Sequence, residues 1–485
     1  MRPRLTPKQR KTALTTKPLH LNSQIEPAGI GSVVEVDRRG RTQKQIWNSA
    51  LVELPESVEE VTRPFVSPQE EFFRMQSTLK LSKHFFQLVR TQSGLVPPIM
   101  AFERWLGRAK FEELQLAPPD ALRDPVLPCH GLRDQTLIGD LVRASIPSLE
   151  ATEIADKLAK ASREAVILLQ ANLRKSSIPA HVKVIRHKHT MDLTFSNKLL
   201  KLNHEHYAKL RTLFLRHSGL HTSPSTETLS DEVERQFHAS LFVLLARYHG
   251  IQGHGYQAAC GEKVFEAFAH HFGVKMECFG SPLNSFFSRF CSAFPDTDWC
   301  FGAVDNFFHF LPPSGHFEVN PPFIPAVMLA AVEHISLLLE RAESQRNSLG
   351  FVIVLPGWLD DPAILLLEAS IWKRVKYSIS KEEHGFCDGA QHQRMDRFRE
   401  SPFDTFIYVL QTSQGMESYP STPEAELDIR KAMALAVPSE AARLRRQKAG
   451  RGFGDADGAG GVYKGKRRQH KDTEMKEPPN KRTKK

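Results

Sequence analysis

The stretch "HFEVNPPF" (316–323) sets an unusual group of side chains at the end of an alternating apolar run. Asn320 is followed by Pro321, Pro322 and Phe323, and adjacent prolines can neither continue a strand nor donate backbone hydrogen bonds. The prolines bring carbonyl acceptors without N–H groups, Asn320 brings a carboxamide, and Phe323 brings a flat apolar face. Together they suit a planar substrate with an exocyclic amine. The Asn320 oxygen and the Pro321 carbonyl would accept its two N–H groups and turn the nitrogen lone pair toward an electrophile. Phe323 would stack on the base, a contact of about 1–3 kcal/mol in nucleic-acid sites. The natural electrophile is the methyl of S-adenosylmethionine. Such a transfer rests on positioning and aligned acceptors and calls for no metal. The plainer reading is that two prolines merely stop a strand. The succession of strand, N-P-P-F, helix and apolar strand favours the chemical one. Adenine, cytosine and a glutamine side chain all carry suitable amines, so the motif leaves the acceptor open.

A methyl donor needs a loop after the first strand of the fold. "ECFGSPLNSFF" (277–287) is the candidate: Gly280 permits close backbone approach, and the Ser281-Pro282-Leu283-Asn284 turn adds polar contacts. The "PDTD" segment supplies Asp296 and Asp298, with Asp305 further on, for ribose hydroxyls or a sulfonium. Aspartates also favour turns, so a structural role competes. Upstream, Gln257 in "GHGYQAAC" is a candidate wall of the same pocket.

These residues need elements to hold them. Residues 65–247 read as a largely helical domain, with apolar positions three and four apart in "EEFFRMQSTLKLSKHFFQLVR" and a strand near 180–185. Residues 250–415 change style. "VKMECF", "HFEV", "LGFVIVLP", "VKYSIS" and "FIYVLQ" read as strands separated by helices, which predicts an α/β domain with a mainly parallel sheet. "LGFVIVLP" is apolar throughout and so is expected to be buried on both faces. A helical extension (416–448) and a Gly-rich linker with a basic tail (449–485) close the chain; residues 1–60 read as a disordered basic region with a short strand at Ser32–Val36.

The 485 residues carry a net charge of +10, but residues 1–18 hold six basic and no acidic side chains, and Lys464–Lys485 hold ten basic against three acidic. The body is therefore close to neutral, which removes the case for a wholly basic globule. Six scattered cysteines without a C-x-x-C pair indicate a reducing compartment and exclude a zinc module of that type. No run of 18 apolar residues predicts a membrane span, and the basic N-terminus lacks the apolar core of a secretion signal, although its acid-free composition also fits a transit peptide. The histidines of "VIRHKHTMD" and "LNHEHYAKL" are read as solvated, because no Cys or carboxylate has metal-ligand spacing with them. "KGKRRQHK" and "NKRTKK" form a bipartite basic signal and predict a nuclear protein or a nucleic-acid tail.

"GYQAA", "ECFGSPLN", "CSAFPDTD", "SGHFEVNPPF", "FVIVLPGW" and "FDTFIYVLQ" occur in that order. Over about 250–412 the sequence resembles the cap-specific adenosine N6-methyltransferases of the phosphorylated-CTD-interacting-factor family. The resemblance implies a Rossmann-like methyltransferase domain behind a helical domain, using S-adenosylmethionine. The product would be N6-methyladenosine at the 2′-O-methyladenosine beside the 7-methylguanosine cap of mRNA. It further implies that Asn320 to Phe323 hold the adenine amine and lie against the cofactor. Trp358, Leu359, Asp360, Asp361 and Pro362 would contact the capped substrate. The family places an acidic substrate contact two positions after the motif phenylalanine, where this chain has Pro325. Arg104 and Arg108 are candidates to reach the cap phosphates. A WW module that reads the RNA polymerase II tail needs two tryptophans about twenty residues apart. Only Trp47 precedes Trp105, so recruitment to polymerase is not carried over. The rival readings are another N6-adenine or amine methyltransferase, and an inactive cap- or polymerase-binding protein.

Overall fold

The computed structural model describes residues 46–444, apart from 55–57, 59–61, 99, 117–120, 132, 176–180, 221–229, 253–256, 395–396 and 441–442. The expected N-terminal strand, the Gly-rich linker and the basic tail lie outside the described residues. The described residues belong to one compact unit.

The first helices are α1 (Pro68–Ser93), α2 (Ala101–Leu116), α3 (Gln135–Arg143) and α4 (Ser148–Lys175). α1 begins where Ser67 accepts from the Glu70 amide and Pro68 occupies the first turn; it ends at Gly94, whose φ of 70° admits the left-handed cap. Leu81, Phe85 and Val89 of α1 pack with Phe102 and Trp105 of α2, Leu141 of α3 and Leu158 of α4.

A three-stranded antiparallel meander follows: β1 (Lys183–Arg186), β2 (Thr190–Phe195) and β3 (Lys198–Asn203). One strand was expected here within a helical region. The turns at Ser196 and between β1 and β2 are short, and Leu193, Phe195, Leu200 and Leu202 are buried against α5 (His204–His217) and α6 (Asp231–Ile251). His206 is also unlike its expected solvated state. It is buried beneath Asn203, and burial holds its imidazole well below the usual range. Trp47 is half-buried against this core, with the Arg216 guanidinium 5.8 Å from its ring centre.

The α/β part runs α7 (Glu262–Phe272), β4 (Met276–Gly280), β5 (Phe290–Ser292), α8 (Pro295–Asp298), β6 (Gly315–Val319), α9 (Pro325–Ser344) and β7 (Leu349–Pro356). It continues through α10 (Pro362–Ala369), β8 (Lys373–Ile379), β9 (Gly385–Cys387), β10 (Phe398–Glu400), β11 (Thr405–Gln411), α11 (Ser413–Ser418) and α12 (Pro423–Ala434). β9 and β10 form a small antiparallel pair. The main sheet has the order β5-β4-β6-β7-β11-β8. β4 is parallel to β5 and β6, and β6 to β7, whereas β11 is antiparallel to both its neighbours. The sheet is thus mainly parallel with one reversed strand, which the apolar run "FIYVLQ" could not disclose.

β7 is buried at every position. Its Phe351, Ile353 and Leu355 face the core under α9 and α10, and its Val352 and Val354 face the core under α7 and α12. Helices on both faces explain why the strand carries no polar alternation.

Candidate active site

From β4 the chain moves outward to β5, then returns to lay β6 on the opposite side of β4. That reversal is a switch point, and in open α/β sheets ligands bind beyond the carboxyl ends of the strands there. β4 ends at Gly280-Ser281 and β6 ends at Asn320, so both sequence-predicted loops leave the sheet at one crevice.

A cavity of about 250 Å³ occupies it. Gly280, Ser281, Asn284, Gln257 and Pro322 line one part, all drawn from the predicted segments. Ser281 donates to the Asn284 carboxamide oxygen through its amide (2.7 Å) and its hydroxyl (2.8 Å), and Asn284 Nδ2 donates to the Gln257 carbonyl (3.0 Å). The Asn284 side chain therefore braces the loop; Pro282 is buried and does not line the cavity.

Asn320 is half-buried, and its carboxamide has no hydrogen-bond partner among the described residues. The Pro322 carbonyl accepts from the Ile324 amide (2.6 Å) in a tight turn, while no described backbone amide donates to Pro321. The two acceptors that the sequence singled out are thus the ones the fold leaves available. Pro325 opens α9 as its first residue, where a missing N–H costs nothing.

Phe323 meets Trp358 edge to face (6.2 Å), and Trp358 meets Phe403 the same way (5.2 Å). Leu359 and Asp360 are exposed. Asp361 caps α10 by accepting from the Ala363 amide (2.9 Å), and Pro362 follows as its first residue. The end of β7 therefore lies beside N-P-P-F, with Trp358 and Asp360 open to a ligand and Asp361 committed to the helix.

Asp296 and Asp298, expected as cofactor ligands, do not line the cavity and are engaged by protein groups. Arg247, fully buried in α6, grips Glu71 (2.6 and 2.8 Å) and Asp296 (3.0 and 2.8 Å). Against the cost of burial, that guanidinium holds the Asp296 carboxyl below its usual range. Asp298 accepts from Tyr248 (2.6 Å), Ser292 (2.6 Å) and Thr297 (2.9 Å), and burial pushes it up to about 6. Both carboxylates shape the wall: Tyr248, Ser292 and Phe294, which they fix or adjoin, line the cavity. Asp305 is held by Arg63 (3.2 Å).

Arg104 and Arg108 point their charge at protein as well. Arg104 pairs with Asp140 (3.1 Å), and Arg108, buried, pairs with Asp134 (3.0 Å). Their ion pairs account for both charges without a phosphate.

What the sequence did not reveal is the other wall. α2 contributes Glu103, Leu106, Gly107, Lys110, Phe111 and Leu114 to the cavity, and Asn306, Phe307 and Phe308 follow from the segment before β6. The aromatic cluster "NFFHF" was the available signal for the latter; nothing in α2 marks its partner. Gly107 sits against the motif: a Cβ there would stand 2.8 Å from Ile324 Cδ1.

Beneath the crevice lies a buried charged group. Glu277 of β4 and Glu318 of β6 are registered neighbours, on the same strand face as Asn320. Glu277 Oε1 accepts from the Phe286 (2.7 Å) and Phe287 (3.0 Å) amides, and Lys209 Nζ donates to the Ser285 carbonyl (2.5 Å), so together they pin the loop after β4. Burial raises Glu277 to about 7 and lowers Lys209 to about 7. Burial, then the neighbouring Glu277, raises Glu318 well above the carboxylate range, and its Oε1 has no partner.

A switch-point cavity, a first-strand loop on one side and N-P-P-F on the other define a Rossmann-like methyltransferase domain. The family model described as "Phosphorylated CTD interacting factor 1 WW domain" matches residues 209–389, which run from α5 through β9 and include both loops. Curated relatives are the mRNA (2′-O-methyladenosine-N(6)-)-methyltransferases of Homo sapiens and Mus musculus, 34% and 33% identical over 242 residues. Those alignments cover 48% of this chain and 32% of each relative, so the match spans about a third of their length. Over the matched segment the chain is similar to the phosphorylated CTD interacting factor 1 family.

Proposed function

We propose that this chain methylates N6 of the 2′-O-methyladenosine beside the 7-methylguanosine cap of mRNA, with S-adenosylmethionine as donor. The observation that carries the proposal is the pair of acceptors at the end of β6, the Asn320 carboxamide and the Pro321 carbonyl, which no described donor uses and which directly precede Pro322 in the wall of the switch-point cavity. The activity named for the relatives supports an mRNA 2′-O-methyladenosine as the substrate.

S-adenosylmethionine supplies an electrophilic methyl group when bound. The residues present fit it: Ser281 and Gln257 offer polar contacts at one end, Phe307, Phe308 and Phe111 offer apolar surface, and Glu103 brings a carboxylate to the wall. Asn320 and Pro321 accept the adenine N–H groups and aim the nitrogen. Phe323, steadied by Trp358, supplies the face on which the base stacks. The cap guanine, a cation, is assigned to the Trp358 ring with Asp360 beside it. Pro325 cannot give the acidic contact of the family, and Asp360 takes up that role in this reading.

A nuclear location, from the basic clusters after residue 463, belongs to the same proposal. Imaging the full chain against one lacking Lys464–Lys485 tests it. Binding to the polymerase tail rests on the family model's description alone and is tested by pull-down with phosphorylated tail peptides.

The deciding experiment incubates the protein with labelled S-adenosylmethionine and capped or uncapped RNA, then digests to nucleosides. Label in N6,2′-O-dimethyladenosine from capped RNA alone supports the reading. Label in internal adenosine, in DNA or in protein would replace it with the rival amine methyltransferase, and no transfer with intact cap binding would favour the inactive binder.

A further inference from the structure

One of the cavity's two charged side chains is open to a ligand. Among its described lining residues the ionised side chains that face it are Glu103 and Lys110, both from α2. Lys110 is spoken for: its Nζ donates to Glu113 (3.0 Å) and to the Asp124 carbonyl (2.6 Å). Burial raises the Glu103 carboxyl from the ordinary value, opposed by its own backbone amide and by the charge of the neighbouring Arg104, which is itself paired with Asp140 (3.1 Å). The aspartates nearer the sheet are all committed, Asp296 to Arg247, Asp298 to Tyr248 and Ser292, Asp305 to Arg63. A partly desolvated carboxylate that lacks its full set of donors is costly to keep, more so than a neutral polar group. Its cost is offset when a ligand brings the donors.

α2 is placed to hold that carboxylate steadily. Glu103, Leu106, Gly107, Lys110, Phe111 and Leu114 recur at helical spacing, so they form one stripe along the cavity. The stripe is docked at two points. Gly107 touches Ile324, directly after N-P-P-F, and the Phe111 ring lies 5.2 Å from that of Phe308. Glu103 stands one turn before Gly107, so its backbone is placed by the same docked stripe.

What a ligand must offer Glu103 is hydroxyl or ammonium donors, or positive charge. The methyl donor of the proposed function carries a ribose diol, an ammonium and a sulfonium. Resting on that reading, we infer that Glu103 is a ligand of the methyl donor. The helical region then completes the cofactor site, and does not serve only as a platform for RNA.

The test is calorimetric titration of the full chain with S-adenosylmethionine and with S-adenosylhomocysteine, in the absence of RNA. Glu103→Gln keeps the shape and removes the charge. It should weaken both ligands about tenfold or more, the scale of a charge-assisted hydrogen bond. Glu103→Asp keeps the charge on a shorter arm and should fall between Gln and wild type; it also covers the case of a Gln variant that fails to fold. Glu112→Gln, on the same helix but not lining the cavity, should leave both affinities unchanged. Wild-type binding with unaltered affinity in Glu103→Gln would overturn the assignment of Glu103 alone. Absence of binding by the wild type would overturn the cofactor reading and the assignment with it.

Discussion

Replacing Asn320 by alanine separates the two meanings of N-P-P-F. If the prolines merely end β6, Asn320 has no duty and its loss changes little of anything. If Asn320 is an acceptor for the reacting amine, its loss is selective for chemistry. The structure fixes the stability side of the comparison: the carboxamide is half-buried and bonded to no described residue, so truncation breaks no hydrogen bond. Stability should move by no more than about 0.5–1 kcal/mol, as for surface positions without special partners. The rate side follows from removing one preorganised polar group, which costs about 10²–10³ in rate, or roughly 2.7–4 kcal/mol. The assay is single-turnover methyl transfer at saturating capped RNA, alongside thermal melting of both proteins. Asn320→Asp retains a side-chain acceptor and should lose less than alanine does. Transfer by Asn320→Ala within a few-fold of wild type would refute the acceptor role. A large drop in melting temperature with proportionate loss of activity would return the motif to a structural part.

Three further outcomes are expected. Trp358→Ala should raise KM for capped RNA about thirtyfold, from a desolvated cation–π contact of roughly 2 kcal/mol, and blunt the preference for the guanine methyl; an unchanged preference in paired kinetics clears Trp358. Arg247→Met removes the ion pair of the partly buried Asp296 and leaves the buried Glu71 with Arg74 alone (2.7 Å), so urea unfolding should show a loss of about 3 kcal/mol, the low end for breaking a buried pair, and a loss under 1 kcal/mol would mean the network is not cooperative. Glu318 has a folded pKa above its unfolded value, so the stability from its neutral acid is complete below the unfolded value and is lost as pH rises through the folded one. Between those limits the slope is about 1.4 kcal/mol per pH unit for one proton. Glu318→Gln should flatten the decline in urea midpoint between pH 5 and pH 8, and parallel curves for the two proteins would contradict the neutral state.

Much of this site can be read in the linear chain, for a physical reason. Strand ends and helix starts are local events, governed by residues a few positions apart. Pro325 opens α9, the apolar run 349–356 is β7, and Asn-Pro-Pro-Phe stands where β6 stops, because proline chemistry and burial periodicity act over that range. Which loops share a crevice is already a step further; the loop after β4 is a candidate in the sequence only because a methyl donor needs a loop after the first strand.

Tertiary structure alone decided the rest. Asp296 and Asp298 look like free acids in "PDTD"; their partners Arg247 and Tyr248 lie about fifty residues away, and only folding brings those charges together. Arg104 and Arg108 looked available on a polar helix face until Asp140 and Asp134 arrived from α3 and the residue before it. β11 runs against its neighbours, although an apolar strand reads the same in either direction. The far wall of the cavity is the clearest case. Glu103 and Gly107 sit in an ordinary amphipathic helix more than two hundred residues from Asn320, and their meaning comes from what α2 packs against. Local sequence encodes the geometry of an element, but the partner of a charged or apolar face is set by burial across the whole chain, and no spacing rule carries that information.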